Sequence, residues 1–291
     1  MAVYSKSGEQ LNSLFDKEAS NVSVAYDING NVVFGRESHR DYKTYSIENL
    51  FTYAVGKAQS FAIFGNKIAQ VVEDDSLYII DIATHNKVKS VAMDMGHGNS
   101  CQFSTEFYDE NDEFPLFYIR NSGIWVYRIV DTSSQLIKKY SFPTSVIATY
   151  VAGFGLDSVN KKLYTVSYTE GDYISRTGML RVCSWDMTSE TENEDGTFSP
   201  AYLDHVDYEW WDKYSAIQGC CYHDGYFFVA NGYTDITTQF VVMFDTDTLE
   251  LSYKIDVPGG EIEGCSWFGD DYLVTQQRSN ARYKKVIFAE S

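Results

Sequence analysis

Several features that define other protein classes are scarce in this sequence. It has only four prolines in 291 residues, and nowhere do eighteen apolar residues run together, so we expect a strand-rich chain with no membrane insertion. The first eight residues contain no basic segment followed by an apolar stretch, and we therefore expect no signal peptide. Basic residues number 23 against 41 acidic ones. The formal net charge of −18 repels a phosphate backbone and argues against a nucleic-acid partner.

Cysteine is also sparse. The five cysteines are an odd number, and Cys101, Cys220 and Cys265 occupy the same place in a repeated phrase described next. This placement indicates a small buried residue that the geometry requires, not a disulfide framework. We therefore expect reduced thiols.

The most distinctive feature is a sequence motif that occurs five times, and we call each copy a phrase. Each copy has a short strand of small residues, a tight turn, and a second strand dense in aromatic and β-branched side chains. The copies begin at Gln59, Asn99, Ala152, Gln218 and Glu263. A spacing of about 40 to 65 residues is typical of radial β-architectures with four strands per unit. We therefore predict an all-β fold, a five-bladed β-propeller.

The last copy lacks a fourth strand, because its third strand, residues 283–288, is followed only by residues 289–291. Residues 42–50 lie just before the first copy, at the offset of a fourth strand. We predict that this N-terminal strand completes the last blade and closes the ring, which removes an open sheet edge. Residues 44–49 in any other sheet would contradict this prediction.

Residues 1–36 stand outside the repeat. Asn29-Gly30 between two apolar runs is a strong hairpin signal. We assign residues 1–36 to a β-hairpin segment for attachment or oligomerisation and residues 37–291 to the propeller. A segment this short cannot bury enough apolar surface alone, so we expect it to pack on the propeller or on copies of itself. The second alternative would make the protein a homo-oligomer.

An aspartate recurs just past the third strand of four repeats, where its side chain can bind turn amides. These residues are Asp81, Asp131, Asp186 and Asp245. We interpret them as scaffold and not as catalytic groups.

The first strand of each propeller blade lines the axis, so the leading residues of the five phrases face one another. Four polar side chains and one methyl group converge there, with a histidine close by. The candidate ligand-binding residues of this channel are Gln59, His97, Asn99, Gln218 and Glu263. Convergent hydrogen-bonding groups in a concavity favour a ligand site, and a polar channel that holds only water is the alternative.

The ring offers little for catalysis. A catalytic metal needs three or more histidine or carboxylate ligands, and the ring has one carboxylate, Glu263, with His97 nearby. We therefore expect no metal and no cofactor. A glycosidase needs a second carboxylate, and no motif of an activated serine or cysteine nucleophile occurs. We favour a protein that is not an enzyme, with an enzyme as the alternative.

Aromatic residues cluster in a long insertion between the third and fourth phrases. Tyr208, Trp210 and Trp211 are candidates for stacking on a sugar face or anchoring a protein partner. Filling a gap between two blades is the alternative role for these rings.

The chain also carries two resemblances to known families. The motifs His97-Gly98-Asn99, Gln218-Gly219 and Glu261-Ile262-Glu263-Gly264 resemble those of helveticin-type five-bladed propellers and, more distantly, of gluconolactonase and NHL propellers. Lactonase-type enzymes hold a channel metal on carboxylates and an asparagine. Glu263 and Asn99 match that pattern loosely, whereas Gln59, Ala152 and Gln218 depart from it.

Residues 3–11 and 24–34 are similar to N-terminal segments of phage or prophage tail-associated proteins from gut bacteria. That resemblance implies an attachment segment with the propeller as the host-facing head, located in a virion or in the cytoplasm until lysis. The favoured function is a receptor-binding module for a bacterial surface glycan or protein. The alternatives are a carbohydrate- or lactone-directed hydrolase or lyase with its site in the channel, and a cell-associated interaction scaffold.

Overall fold

The computed structural model describes residues 3–4, 10–11, 24–26, 32–35, 40–73, 76–147, 150–169, 179–209, 216–233, 238–278 and 281–290. All regular structure in these residues is β-strand, which confirms the predicted all-β class. They therefore contain no helix able to cross a membrane.

The chain divides into two compact units, one of Met1–Thr44 with Ala289–Ser291 and one of Tyr45–Phe288. The first unit holds a four-stranded sheet in the order β2-β1-β3-β4. Its strands are β1 (Val3–Tyr4), β2 (Gln10–Leu11), β3 (Val24–Tyr26) and β4 (Val32–Gly35). β3 and β4 pair antiparallel, as the hairpin pattern predicts, while Asn29-Gly30 lies outside the described residues. The predicted domain boundary after residue 36 stays a prediction.

A long strand, β5 (Arg40–Thr52), is followed by four groups of four strands and a last group of three strands, which β5 itself completes. The first three groups are β6 (Ala58–Phe64), β7 (Lys67–Val72), β8 (Ser76–Asp81) and β9 (Lys87–Ala92); β10 (Cys101–Phe103), β11 (Phe117–Arg120), β12 (Ile124–Val130) and β13 (Ser133–Tyr140); and β14 (Val151–Asp157), β15 (Lys162–Tyr168), β16 (Met179–Glu192) and β17 (Phe198–Glu209). Each is an antiparallel meander. Isolated parallel bridges link β13 to β9 and to β17, so the three meanders count as one twelve-stranded sheet.

The remaining groups are separate four-stranded sheets. They are β18 (Ala216–His223), β19 (Tyr226–Gly232), β20 (Thr238–Asp245) and β21 (Leu251–Pro258); and β22 (Ile262–Phe268), β23 (Tyr272–Gln277) and β24 (Arg282–Glu290) with β5. β5 lies beside β24, in the sheet where the sequence places residues 42–50. Among the described residues, the hydrogen-bonded sheets do not close into one ring.

The first strands of the meanders pack against one another in chain order, and β22 also packs against β6. Small residues allow this close approach. A Cβ atom on Gly219 would lie 2.6 Å from the Cα atom of Gly264 and 3.3 Å from the carbonyl oxygen of Asn99. The Ser100 hydroxyl lies 3.2 Å from the Phe154 carbonyl oxygen and accepts a hydrogen bond from the Cys220 amide. Three first strands therefore meet at this layer.

Apolar clusters fill the spaces between neighbouring meanders. Between the last and first meanders, the rings of Phe61 and Tyr283 meet edge to face with centroids 5.4 Å apart. Between the fourth and fifth meanders, the ring centroids of Phe228 and Trp267 lie 5.6 Å apart. All five cysteines are buried and unpaired, as predicted. Burial raises the pKa of Cys101 to about 12, which makes this thiol unreactive.

Candidate functional site

A cavity of about 450 Å³ lies where the first strands begin and the second strands end. Three predicted site residues line it, His97, Asn99 and Gln218. The other two, Gln59 and Glu263, are buried and do not line the cavity. Gln218 of the lining is directly followed by Gly219, which belongs to the packed layer where the first strands meet.

One wall carries the carboxylate of Glu261 and the guanidinium of Arg278, and the carboxyl group of Glu263 is buried behind them. Glu261 and Glu263 stand at the start of β22, and the β22–β23 register brings Arg278 opposite them. Arg278 Nη1 lies 3.5 Å from Glu261 Oε2, and its Nε lies 3.5 Å from Glu263 Oε1. Gln218 Nε2 donates to Glu261 Oε1 at 3.3 Å. These contacts join the fourth and fifth meanders at the pocket.

Glu263 is 2 % exposed. Burial raises the pKa of its carboxyl group to about 8, the negative charge of Glu261 adds to this, and Arg278 opposes it. At pH 7 this side chain is therefore mostly a neutral carboxylic acid. A neutral carboxyl group beside an ionised one can donate a hydrogen bond or a proton.

A second guanidinium, that of Arg120 at the end of β11, also lines the pocket. Its Nε donates to the Val151 carbonyl oxygen at 2.9 Å, and its Cζ lies 5.1 Å from the centroid of the Tyr150 ring. Burial lowers the pKa of Arg120, and the nearby Tyr150 and Tyr168 oppose this. No carboxylate oxygen of the described residues lies within 4.0 Å of this guanidinium.

His97 lies at the rim between two glycines in the left-handed region, Gly96 at φ 53° and Gly98 at φ 57°. A side chain at Gly98 would also clash with Val71, since a Cβ atom there would stand 2.7 Å from Val71 Cγ1. Partial burial lowers the pKa of His97, the charge of Arg120 adds to this, and Glu73 opposes it. The ring is therefore neutral at pH 7 and offers one donor and one acceptor.

Aromatic rings complete the pocket. Tyr150 and Tyr168 stand edge to face with centroids 5.8 Å apart, and Tyr233 also lines the cavity. The Tyr168 hydroxyl accepts a hydrogen bond from the Ile217 amide at 3.1 Å, which fixes its position.

Several buried polar atoms in and behind this pocket have no hydrogen-bond partner among the described residues. They include both amide atoms of Gln59, Oδ1 of Asn99 and Oε1 of Glu263. Buried polar atoms are nearly always bonded, so each exception calls for an explanation, and a bound water or ion is one of them. Asn99 lines the cavity, so its carbonyl oxygen is placed to accept a bond from a ligand.

The predicted loop aromatics lie elsewhere. Tyr208 is on β17, where its hydroxyl donates to the Leu249 carbonyl at 2.7 Å and accepts from the Leu251 amide at 3.0 Å. It does not line the pocket, and its bonds are those of a packing residue. Trp210 and Trp211 lie outside the described residues, so their role stays a prediction.

Sequence reasoning considered mainly the leading residue of each phrase, and it missed six polar or aromatic residues of the lining. They are Arg120, Tyr150, Tyr168, Tyr233, Glu261 and Arg278. A signal was available in the hairpin register, since the residue that ends each second strand returns beside the leading residue of its phrase. Arg278 opposite Glu261 is the clearest case.

Within the described ranges, no group of three or more His, Cys, Asp or Glu side chains is close enough to hold a metal ion. The expected absence of a cofactor is not tested by this finding.

No protein-family model matches the chain, and no curated protein matches its sequence. Among solved structures, the PQQ-bound form of aldose sugar dehydrogenase (Adh) from Streptomyces coelicolor is similar, with a TM-score of 0.52 and 10% identity. The match covers 84% of this chain and 99% of that chain. The fold is propeller-like. This neighbour supports neither the helveticin-type resemblance nor the phage-tail resemblance.

Proposed function

We propose that Tyr45–Phe288 is a five-bladed β-propeller whose pocket binds a small carbohydrate. The five meanders are the blades, and β5 supplies the fourth strand of the last one. The packing of β22 against β6 supports a circular arrangement, because it joins the last first-strand to the first. The propeller-like neighbour supports the same architecture.

The observation that carries the carbohydrate assignment is the chemistry of one pocket. Asn99, Gln218 and His97 supply donors and acceptors, and Tyr150 and Tyr168 supply ring surface beside them. Sugar hydroxyls need paired donors and acceptors, and the sugar ring faces pack on aromatic rings. A volume of about 450 Å³ suits a small ligand. The structural neighbour is named for an aldose sugar, which supports the same ligand class here.

A second candidate is acid–base chemistry on the same ligand, by a hydrolase or lyase. Glu263 favours it, because a carboxyl group with a pKa of about 8 is protonated at neutral pH and can act as a general acid. Glu261, two residues away, supplies a second carboxylate near the pocket.

PQQ, which is bound in the structural neighbour, does not fit this donor set. PQQ carries three carboxylates, whereas one of the two guanidiniums in this pocket is already paired with Glu261. No cofactor chemistry therefore enters the proposed function.

Calorimetric titration with a panel of monosaccharides tests the proposal. We expect binding by the wild type and a loss of about tenfold or more in Asn99→Ala, since each hydrogen bond to the ligand contributes on the order of 1 kcal/mol or more. Gln135→Ala removes an exposed amide from an outer strand and should bind as the wild type does. A wild type that binds no sugar at millimolar concentration would contradict the proposal.

The two candidate functions are separated by incubating the protein with the same sugars and their glycosides and following any product by NMR. Turnover that is lost in Glu263→Gln would establish the second. Binding without turnover leaves the first.

Attachment to a phage or prophage tail, and recognition of a bacterial surface glycan or protein, depend on the N-terminal resemblance and stay predictions. Tail or lysis genes beside this gene would support them.

A further inference from the structure

The charge of the pocket contrasts with that of the whole protein. The chain has a formal net charge of −18, yet Arg120 faces the cavity with no described carboxylate beside it. Other arginines with reduced exposure have such partners. Arg128 Nη2 lies 2.7 Å from Asp112 Oδ1, and Arg181 Nε lies 2.7 Å from Asp207 Oδ1.

The surroundings of Arg120 fix the guanidinium without neutralising it. One hydrogen bond, from Nε to the Val151 carbonyl, holds one edge, and the Tyr150 ring lies against the group. The two terminal nitrogens donate no hydrogen bond to a described residue. A guanidinium held in this way presents two parallel N–H donors, the geometry that binds a carboxylate in bidentate fashion.

A desolvated cation without a counter-ion is unfavourable, and an anionic ligand removes that cost. Arg278 cannot serve the same purpose, because Glu261 and Glu263 already stand 3.5 Å from it. The pocket thus has a single free positive group among its described lining residues. One negative charge on the ligand balances it, whereas a dianionic phosphate would add charge beside Glu261.

We propose that the pocket is specific for sugars that carry a carboxylate, such as hexuronic acids, and that Arg120 binds this carboxylate. The inference rests on the proposed carbohydrate site and names its substrate class. Asn99, Gln218 and His97 would then bind the hydroxyls of the same ligand.

Matched pairs of sugars test it by calorimetric titration: glucose with glucuronate, galactose with galacturonate, and glucose 6-phosphate as a phosphate-bearing sugar. In the wild type, we expect one uronate to bind at least about thirtyfold tighter than its neutral partner, and its affinity to fall as NaCl rises from about 0.05 to about 0.5 M. Arg120→Gln should reduce uronate affinity to that of the neutral sugar and leave the neutral sugar within about threefold. Arg181→Gln, outside the pocket, should change neither.

The outcomes distinguish this inference from the proposed function. Equal affinity for neutral sugar and uronate, or no change in Arg120→Gln, overturns the inference and leaves the carbohydrate site in place. Tighter binding of glucose 6-phosphate than of either uronate also overturns it. No binding of any sugar overturns both.

If Arg120→Gln melts early, Arg120→Lys provides the test, because a single ammonium keeps the charge but loses the bidentate pair. Weaker uronate binding with unchanged neutral-sugar binding supports the inference, and unchanged uronate binding overturns it.

Discussion

Polar side chains face a shared cavity at the end of the sheets where first strands begin and second strands end, whereas at the opposite end they bind their own hairpin turns. Asp81 Oδ1 accepts from the Thr84 amide at 2.8 Å, and Asp157 Oδ1 accepts from the Asn160 amide at 3.0 Å. Asp186 and Asp245 bind amides two or three residues ahead in the same way. Among the described residues, no such local partner serves Asn99 Oδ1 or the amide of Gln59.

This difference between the two ends of the sheets indicates that the polar side chains at one end stabilise turns, whereas those at the other end can bind a ligand. At the turn end, each of these carboxylates accepts a backbone amide from within three residues, and Asp81 also pairs with Lys67 of its own hairpin. At the pocket end, the groups come from different meanders and several keep unused hydrogen-bonding capacity. The pocket end therefore presents polar groups that a ligand can bind.

The largest expected effect is on the packed layer beneath the pocket. Gly219→Ala would place a Cβ atom 2.6 Å from the Gly264 Cα atom and 3.0 Å from the Glu263 carbonyl oxygen. Both neighbours are backbone atoms and cannot rotate away, so we expect a loss of about 3 kcal/mol in the free energy of unfolding. The melting temperature should fall by roughly 6 to 12 °C.

The matched control is Gly260→Ala, where an added Cβ atom meets no atom within 4 Å. Its unfolding free energy should stay within about 0.5 kcal/mol of the wild type. Equal melting of the two variants would show that the first strands do not meet as described.

The next effect concerns the buried acid of the pocket and depends on pH. Glu263 has a pKa of about 8 in the folded protein against an ordinary value of 4.5, so the folded state holds its proton more tightly. Its contribution to stability is full below about pH 4.5 and is lost as pH rises towards 8. Glu263→Gln stays neutral, and its stability relative to the wild type should therefore increase across this window by several kcal/mol, as an order of magnitude.

Urea unfolding at about pH 5, 6, 7 and 8 measures that difference. Glu110→Gln, on an exposed segment, is the control and should have nearly the stability of the wild type. A constant difference for Glu263→Gln as well would mean that this carboxyl group is ionised throughout.

The smallest effect is expected at the turn end. Asp157→Ala removes two hydrogen bonds, from the amide and the side chain of Asn160, and should cost about 1 to 2 kcal/mol of stability. Asp247→Ala, at an exposed turn position that accepts no described bond, should cost less than about 0.5 kcal/mol. Sugar titration should give wild-type affinity for both variants. Weakened binding in Asp157→Ala would contradict the separation of the two ends.

A side-chain contact could be predicted from the sequence when its two residues lie close together along the chain. The turn role of Asp81, Asp186 and Asp245 is confirmed, because the donors lie two or three residues ahead. For Asp131, the fourth residue predicted in this role, the turn instead shows a left-handed backbone at φ 53°. The strand β5 was predictable as well, because the last phrase lacks a fourth strand.

The pocket was predictable only in part. The leading residues Asn99 and Gln218 follow from the repeat, but Arg120 shares the cavity with residues of the fifth meander, which is distant along the chain. The sequence suggested that Tyr208 is an exposed ring. In the structure, its own hydroxyl is hydrogen-bonded to Leu249 and Leu251 around the start of β21, which holds the ring in a packing position. Side-chain roles of this kind depend on packing between meanders, which a local pattern does not contain.

The most direct test of the central claim is a crystal structure after soaking with a mixture of glucose and glucuronate. We predict sugar density in the pocket, with hydroxyls in hydrogen-bond reach of Asn99 Oδ1 and Gln218 and a carboxylate on Arg120. An empty pocket with sugar bound at the hairpin-turn end, or with none bound at all, would contradict this prediction.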